Sequence, residues 1–228
     1  MAARAIDIEA HAARREAFLD AAQLLIQTKG YEETSVQDIL DQTGSSRGAF
    51  YHYFASKTAL LEAVVERTVE RALSSVRPLV NDQALGAVAK LEGLFRGLGE
   101  WKLDRTELMR ALLRVWESDE NALMREKTRR ATLAGFTPLL AAVLRQGADE
   151  SVFDVSCPDE AARILVAAMT GSREGVVRLF LDDAFGESAL RTLENMMRAN
   201  EEAFERVLGV EAGSLVLFDR DAVRRWFA

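Results

Sequence analysis

The segment from residue 34 to residue 58 constrains the fold of this 228-residue chain more than any other part of its sequence. Its first half predicts a short helix, because Thr34 and Gln37 have the spacing of a capping box and an apolar stripe follows. Gly44 should end this helix in a tight turn, and aromatic residues at helical spacing begin a second helix at once. Two short helices joined by a glycine-containing turn form a helix-turn-helix unit, whose second helix enters the major groove of DNA.

The composition favours a soluble and mainly helical protein. Three prolines and fourteen glycines leave long uninterrupted segments, and 49% hydrophobic with 29% charged residues is ordinary globular composition. Cys157 is the single cysteine, so an internal disulfide and a multi-cysteine metal site are excluded. No segment approaches about 18 consecutive apolar residues, and the amino terminus lacks an apolar signal core. We therefore expect a cytoplasmic protein that does not enter membranes.

Hydrophobic periodicity predicts an all-α fold of about nine helices. The first runs from about residue 11 to Lys29, where Gly30 terminates it. A long fourth helix begins after Ser56, and Arg77-Pro78 should end it. The later helices are expected at about 82–100, 104–117, 120–147, 159–181 and 188–208, with Pro138 kinking or splitting the third of these, and a last short helix is possible in the 213–228 tail.

The helix-turn-helix region resembles the TetR family of bacterial transcriptional regulators. The resemblance covers about residues 11–65. It is carried by the Gly30-Tyr31 corner, by Thr43-Gly44, by the aromatic run of residues 50–54 and by Ser56-Lys57. It implies a DNA-binding domain at residues 1–57 and a ligand-binding and dimerisation domain at residues 58–228, with helix 56–77 shared by both.

The same resemblance suggests which residues contact DNA. Lys57 matches a lysine placed against phosphate at the positive end of the long helix. Arg47 could read guanine or only clamp a phosphate, and Tyr51 and His52 could instead serve helix packing. The predicted DNA contacts are Thr34, Ser35, Ser46, Arg47, Gly48, Tyr51, His52 and Lys57, of which Thr34 and Ser35 are first of all cap residues.

The charge balance opposes a DNA-binding function. The chain has a formal net charge of −7, and residues 1–57 hold six Lys or Arg against eight Asp or Glu. A basic patch is the usual footprint of a nucleic-acid binder, so we expect modest affinity and a shallow salt dependence. No metal site is expected at His52, since no cysteine or histidine lies near it and His11 is far away along the chain.

The central segments are rich in large apolar residues at helical spacing. Such residues are ordinarily core, but the resemblance implies an internal cavity in this region for a largely apolar effector. The candidate ligand-binding residues are Phe95, Trp101, Met109, Leu113, Trp116 and Phe136.

The last two long helices suggest a homodimer. The first presents small residues on one face, the second presents a wide apolar stripe, and two of each would form a four-helix bundle. The alternative is that both stripes are buried within one chain. The candidate interface residues are Ala168, Gly171, Gly175, Leu193, Met197 and Phe204.

These features predict a ligand-responsive repressor that a small, largely apolar molecule releases from a palindromic operator in double-stranded DNA. The alternative is a helical carrier or interaction protein whose helix-turn-helix unit does not read DNA, and the acidic balance favours it. The sequence has no Ser-His-Asp order with plausible spacing, no glycine-rich phosphate loop and no Cys/His cluster. We therefore expect neither an enzyme nor a cofactor.

Overall fold

A computed structural model describes residues 2–116, 122–181, 187–221 and 224, which contain nine α-helices and no strand. The predicted all-α class is confirmed. The helices are α1 Ala2–Lys29, α2 Val36–Thr43, α3 Arg47–Tyr53, α4 Lys57–Asn81, α5 Ala87–Leu103, α6 Thr106–Trp116, α7 Ala122–Asp149, α8 Pro158–Leu181 and α9 Glu187–Leu208. The tail helix suggested for residues 213–228 falls largely outside the described residues.

The chain forms two compact units. The first unit comprises the described residues of 1–68 and 107–128, and the second comprises those of 69–106 and 129–221 together with residue 224. Residues from α6 and from the start of α7 join the first unit, because Ala111, Val115 and Met124 pack against Ile26 and Leu61. The predicted boundary at residue 57 separates a DNA-binding domain from a ligand-binding and dimerisation domain. It is a boundary of function, and it stays a prediction.

Helix α1 is longer than the sequence predicted. It begins at Ala2 instead of about residue 11, and it ends at Lys29 as expected. The physical reason is local: residues 2–29 are rich in alanine and contain neither glycine nor proline, so nothing interrupts the helix before Gly30.

Two prolines lie inside continuous helices, where the sequence predicted an end of α4 and either a kink or a split of α7. Pro78 does not end α4, which continues to Asn81, and Pro138 does not split α7. A proline inside a helix leaves the carbonyl four residues earlier without its partner. Those carbonyls belong to Ser74 and Ala134, which are exposed, so water can satisfy them.

The second unit has an aromatic centre. The ring of Phe95 packs edge-to-face against Phe136 and Phe204, with centroids 5.8 and 5.2 Å away. Phe218, from the chain that follows α9, packs against the same ring at 5.7 Å. Burial of large aromatic residues makes this cluster a main source of stability for the unit.

The apolar stripe of α9 faces the core of its own chain. Phe204 is only 1% exposed and Leu193 is also buried, so both were wrongly predicted as dimer-interface residues. Of the other predicted interface residues, Ala168 and Gly171 are exposed on α8, and Met197 is half-buried. The surroundings of Gly175 lie outside the described side chains.

No helix in the described ranges is long and apolar enough to cross a membrane.

Candidate nucleic-acid interface

A capping box starts α2, one residue later than the sequence predicted. The Asp38 amide donates to Ser35 Oγ over 3.1 Å, and the Ser35 amide donates to Asp38 Oδ2 over 2.7 Å. Gln37 does not reach back to the cap but donates to Asp41 over 2.8 Å. Ser35 and Thr34 carry equivalent hydroxyl groups, so the sequence pattern is compatible with a cap at either residue.

Thr34 serves the interior of the protein, and its predicted role in DNA binding is wrong. Its side chain is 1% exposed and donates from Oγ1 to the Gly30 carbonyl over 2.6 Å. This bond closes the corner between α1 and α2, where Gly30 has a φ of 88° that favours glycine. A buried hydroxyl cannot reach a phosphate, so Thr34 orients α2 instead.

Gly44 makes the turn between the two short helices, as predicted. It caps α2 in the left-handed conformation, with φ 59° and ψ 32°, and its amide donates to the Leu40 carbonyl. Ser46 then caps α3, because its Oγ accepts from the Ala49 amide over 3.2 Å. These local bonds determine where α3 begins.

One aromatic anchor determines which face of α3 is exposed. Phe50 is fully buried and packs edge-to-face against Phe18 of α1, with ring centroids 5.7 Å apart. The opposite face therefore points to solvent, and Tyr51 is 51% exposed. The exposed residues of this face, with the α3 cap at its start, are Ser46, Arg47, Gly48, Tyr51 and His52.

Gly48 has no internal reason to be glycine. It lies inside α3, where glycine destabilises a helix by about 0.5–1 kcal/mol relative to alanine. A Cβ atom built at this position would meet only Ser46 Oγ, at 3.9 Å. The space beside Gly48 is thus open in the free protein, and the absent side chain suits close approach of a partner to the helix backbone.

Lys57 lies at the first turn of α4, which Ser56 caps through a 3.0 Å bond from the Ala59 amide. Its Nζ lies 4.1 Å from the centre of the Tyr31 ring and donates to the Glu32 carbonyl over 3.3 Å. The ammonium group is therefore held near the corner between α1 and α2, beside the positive end of a long helix.

Ion pairs within this unit place cations beside several of its carboxylates. Lys29 pairs with Asp38 over 2.8 Å, and the bonds from Lys29 and Ser35 hold the pKa of that carboxyl well below its usual range. Arg67 of α4 bonds to Glu16 and Asp20 of α1 over 2.9 and 2.7 Å. Because Arg67 lies outside residues 1–57, the count of six Lys or Arg against eight Asp or Glu omits a cation that faces two of those carboxylates.

Sequence reasoning missed His11. His11 lies far from His52 along the chain, yet the fold brings the two rings to 5.6 Å between centroids. Only the packing of α1 against α3 could reveal this proximity. Across the described ranges, no group of three or more His, Cys, Asp or Glu side chains is placed to hold a metal ion.

The predicted ligand-binding residues are divided between the two units. Phe95, Trp101 and Phe136 belong to the second unit, whereas Met109 and Leu113 belong to the first. Phe95 and Phe136 are buried in the aromatic centre, and the other three are half-buried. Trp116 ends α6, and its side chain lies outside the described part of the structure. Their role in ligand binding stays a prediction.

Known proteins that are similar to this chain include regulators of the helix-turn-helix type. The family model described as bacterial regulatory proteins, tetR family, matches residues 18–64. The HTH-type transcriptional regulator YfiR of Bacillus subtilis is 24% identical over 204 residues, covering 84% of this chain and 96% of YfiR. An HTH-type regulator from the lacX 3′ region of Lactococcus lactis is 45% identical over 56 residues, which cover 25% of this chain and 29% of that protein.

Solved structures extend the similarity to 87–89% of this chain. A TetR transcription regulator from Haloarcula marismortui has a TM-score of 0.62 and 26% identity, covering 87% of this chain and 98% of its own. Thermus thermophilus FadR, a TetR-family transcriptional repressor solved in complex with lauroyl-CoA, has a TM-score of 0.60 and 23% identity, covering 89% and 99%. The second of these similarities concerns the fold alone.

A capped helix with an exposed polar face, held by a glycine turn on an all-α scaffold, defines the class of helix-turn-helix transcriptional regulators. Within that class, residues 18–64 match the tetR family of bacterial regulatory proteins, and a solved TetR regulator shares the fold over 87% of this chain.

Proposed function

We propose that this regulator is a homodimeric repressor that binds an inverted-repeat operator and leaves it when a small, largely apolar molecule binds. The observation that carries the proposal is the exposed face of α3, anchored from behind by Phe50 and capped by Ser46. We expect the protein to act in the cytoplasm and to have no catalytic activity, in keeping with relatives that are transcriptional regulators.

The proposed DNA contacts divide into two kinds. Arg47 and Tyr51 project from α3 toward the major groove, and Gly48 lets the duplex approach the helix backbone. His52 lies on the same exposed face and is proposed to contact the phosphate backbone. The remaining contacts, from Ser35, Ser46 and Lys57, lie at helix amino termini, where backbone amides and the helix dipole favour phosphate. Contacts of the second kind position the protein without reading sequence.

The effector is expected to be largely apolar. FadR, which shares the fold, was solved with lauroyl-CoA, a ligand with a long apolar chain. Helix α4 supports a coupling mechanism, because it carries Lys57 at its first turn and contributes Leu73, Val76 and Val80 to the core of the second unit. A ligand that prefers one arrangement of the second unit would thereby change how the operator is held.

The proposed dimer uses the exposed faces of the last two helices. Ile164, Ala168 and Gly171 share one face of α8 at i, i+4, i+7 spacing, and Ile164 is 62% exposed. Val207 adds an exposed apolar residue on α9. A large exposed aliphatic residue beside small residues suits close helix packing with a second copy.

The decisive experiment is selection of DNA from a random library by the purified protein, followed by sequencing. We expect an inverted repeat with half-sites about one helical turn apart, roughly 34–36 Å. A single unpaired half-site would contradict the dimer, and retention of no DNA even at low salt would favour the carrier function over the repressor.

A further inference from the structure

The fold places the only two histidines of the chain side by side. His11 lies on α1 and His52 on α3, and their rings meet at an interplanar angle of 78° with centroids 5.6 Å apart. Tyr53 completes the group, with its ring 4.5 Å from His11 and 5.1 Å from His52. Both histidines are exposed, so each imidazole can exchange protons with solvent and meet a ligand.

These rings line a surface depression of about 590 Å³. Small side chains on one face of α1 keep the depression open. Among the described side chains, Arg14 is the charged group that lines it, and Tyr53 is the other titratable group beside the histidines. No carboxylate appears among its lining residues in the described chain, which are Ala10, His11, Ala13, Arg14, Ala17, His52 and Tyr53. The depression therefore suits an anion.

A titratable positive charge matters more here than in a strongly basic protein. Residues 1–57 hold only six Lys or Arg, so one or two added cations change the local balance substantially. A neutral imidazole offers one N–H donor, whereas an imidazolium offers two and a positive charge. Two neighbouring imidazolium groups repel each other in the free protein, and a nearby phosphate relieves that repulsion.

We propose that His11 and His52, together with Arg14, form a proton-operated site for a backbone phosphate of DNA. The inference rests on the proposed function, because the phosphate belongs to DNA bound by α3, and it adds His11 on α1 to the interface. The two imidazoles then hold the added protons more tightly in the DNA complex than in the free protein. By linkage, affinity rises as the pH falls from about 8 to about 5.5, and the gain is lost as the pH rises again.

Phosphate contacts do not depend on sequence, so the test needs no operator. A duplex of about 40 base pairs of arbitrary sequence, in about 50 mM salt, is a sufficient probe. We expect the wild-type protein to bind about tenfold more tightly at about pH 5.5 than at about pH 7.5, with a salt slope steeper by one to two units. His11→Gln and His52→Gln should each reduce this pH effect, and the double variant should leave at most about a twofold effect.

Arg14→Gln is the matched control, because it removes a fixed cation from the same depression. It should weaken binding equally at both pH values and leave the pH effect intact. Protonation of carboxylates elsewhere would also strengthen binding in acid, but that effect would survive in the double histidine variant. A double variant with the full wild-type pH effect would overturn the proposal.

Nuclear magnetic resonance gives a second readout. The chain has two histidines, so two imidazole Cε1–H resonances report on the site. Their titration midpoints should move to higher pH when the duplex is added. Midpoints that stay in place in a protein that binds DNA would refute the phosphate site while leaving the proposed function intact. Failure to bind DNA at any pH would instead refute the proposed function and this inference with it.

Discussion

Lys57 is the residue at which a loss of phosphate contact should be simplest to measure. Lys57→Ala should weaken binding to all DNA sequences alike and reduce the salt slope by about one unit, as loss of one phosphate contact does. Binding isotherms at several salt concentrations would show this. Lys127→Ala is the matched control, because it removes a cation of the same unit that Glu62 holds in a 2.7 Å ion pair. Equal slopes for both variants would contradict the assignment.

Arg47 separates base reading from phosphate binding. Arg47 is exposed at the start of α3. Arg47→Ala should cost about 1–3 kcal/mol of binding free energy, because it removes the guanidinium group and with it the hydrogen bonds to DNA. Competition binding against operator variants would distinguish the two roles. Relaxed preference at one base pair identifies a base contact, and uniform weakening identifies a phosphate clamp. Unchanged affinity for every duplex would remove Arg47 from the interface.

At the scale of the element, the start of α2 should respond to acid through Asp38. Lys29 and Ser35 hold the pKa of Asp38 well below its usual range in the folded protein. A carboxyl whose pKa is lower when folded stabilises the protein above its unfolded pKa, about 3.9, and this contribution is lost as the pH falls below that value. Asp38→Asn should therefore lower the melting temperature at pH 7, by an amount that shrinks below about pH 3.

Asp41→Asn is the control for this measurement, since Asp41 lies on the same helix and accepts one bond from Gln37. Its effect on the melting temperature should be smaller than that of Asp38→Asn at pH 7. An Asp38→Asn effect that stays constant from pH 7 to acid would contradict the ion-pair explanation.

The segment after α9 is a second element with a measurable role. The Leu217 amide donates to the buried Glu201 carboxylate over 3.1 Å, and the Val216 amide donates to Glu92 over 3.0 Å. Leu217 is 1% exposed, whereas Val216 is 65% exposed. Leu217→Ala should destabilise the protein by about 2–5 kcal/mol in urea unfolding, because it leaves a cavity in the core.

Val216→Ala provides the matched control within the same segment. It keeps the backbone hydrogen bond and removes only exposed methyl groups, so its effect should stay within about 0.5 kcal/mol. Similar losses for both variants would show that the side chain of Leu217 is not part of the core.

At the scale of the whole molecule, Gly171 tests the dimer without disturbing the monomer. A Cβ atom at this position would meet nothing within 4 Å, so Gly171→Arg should leave the fold of one chain intact. If the dimer forms through α8, this substitution should prevent dimerisation and leave monomers that bind operator poorly. Analytical ultracentrifugation would measure this, with Val152→Arg, a change at another exposed apolar residue, as control. A wild-type monomer at micromolar concentration would refute the interface.

Effector and operator should also influence each other across the molecule. A typical coupling of about 1–3 kcal/mol would lower operator affinity by roughly 5- to 150-fold when effector is bound. The same factor must appear as weaker effector binding in the presence of operator. Titration of apolar compounds against tryptophan fluorescence and operator binding would measure both. A compound that binds tightly yet leaves operator affinity unchanged would indicate a carrier pocket.

The sequence by itself determined the features that depend on neighbours a few positions apart. The turn at Gly44 and the start of α4 after Ser56 rest on hydrogen bonds between residues close in the chain. The helix count followed from hydrophobic periodicity for the same reason. Even there, the cap of α2 was placed one residue early, because only the burial of Thr34 distinguishes it from Ser35.

Tertiary structure decided everything that depends on which surfaces meet. It turned the apolar stripe of α9 inward, so Phe204 packs on Phe95 instead of on a second copy. It placed Pro78 and Pro138 on exposed faces, where a helix can continue past a proline. It also brought His11 beside His52. A sequence pattern shows how much of a helix is apolar, but which partner covers that face depends on contacts between residues far apart in the chain.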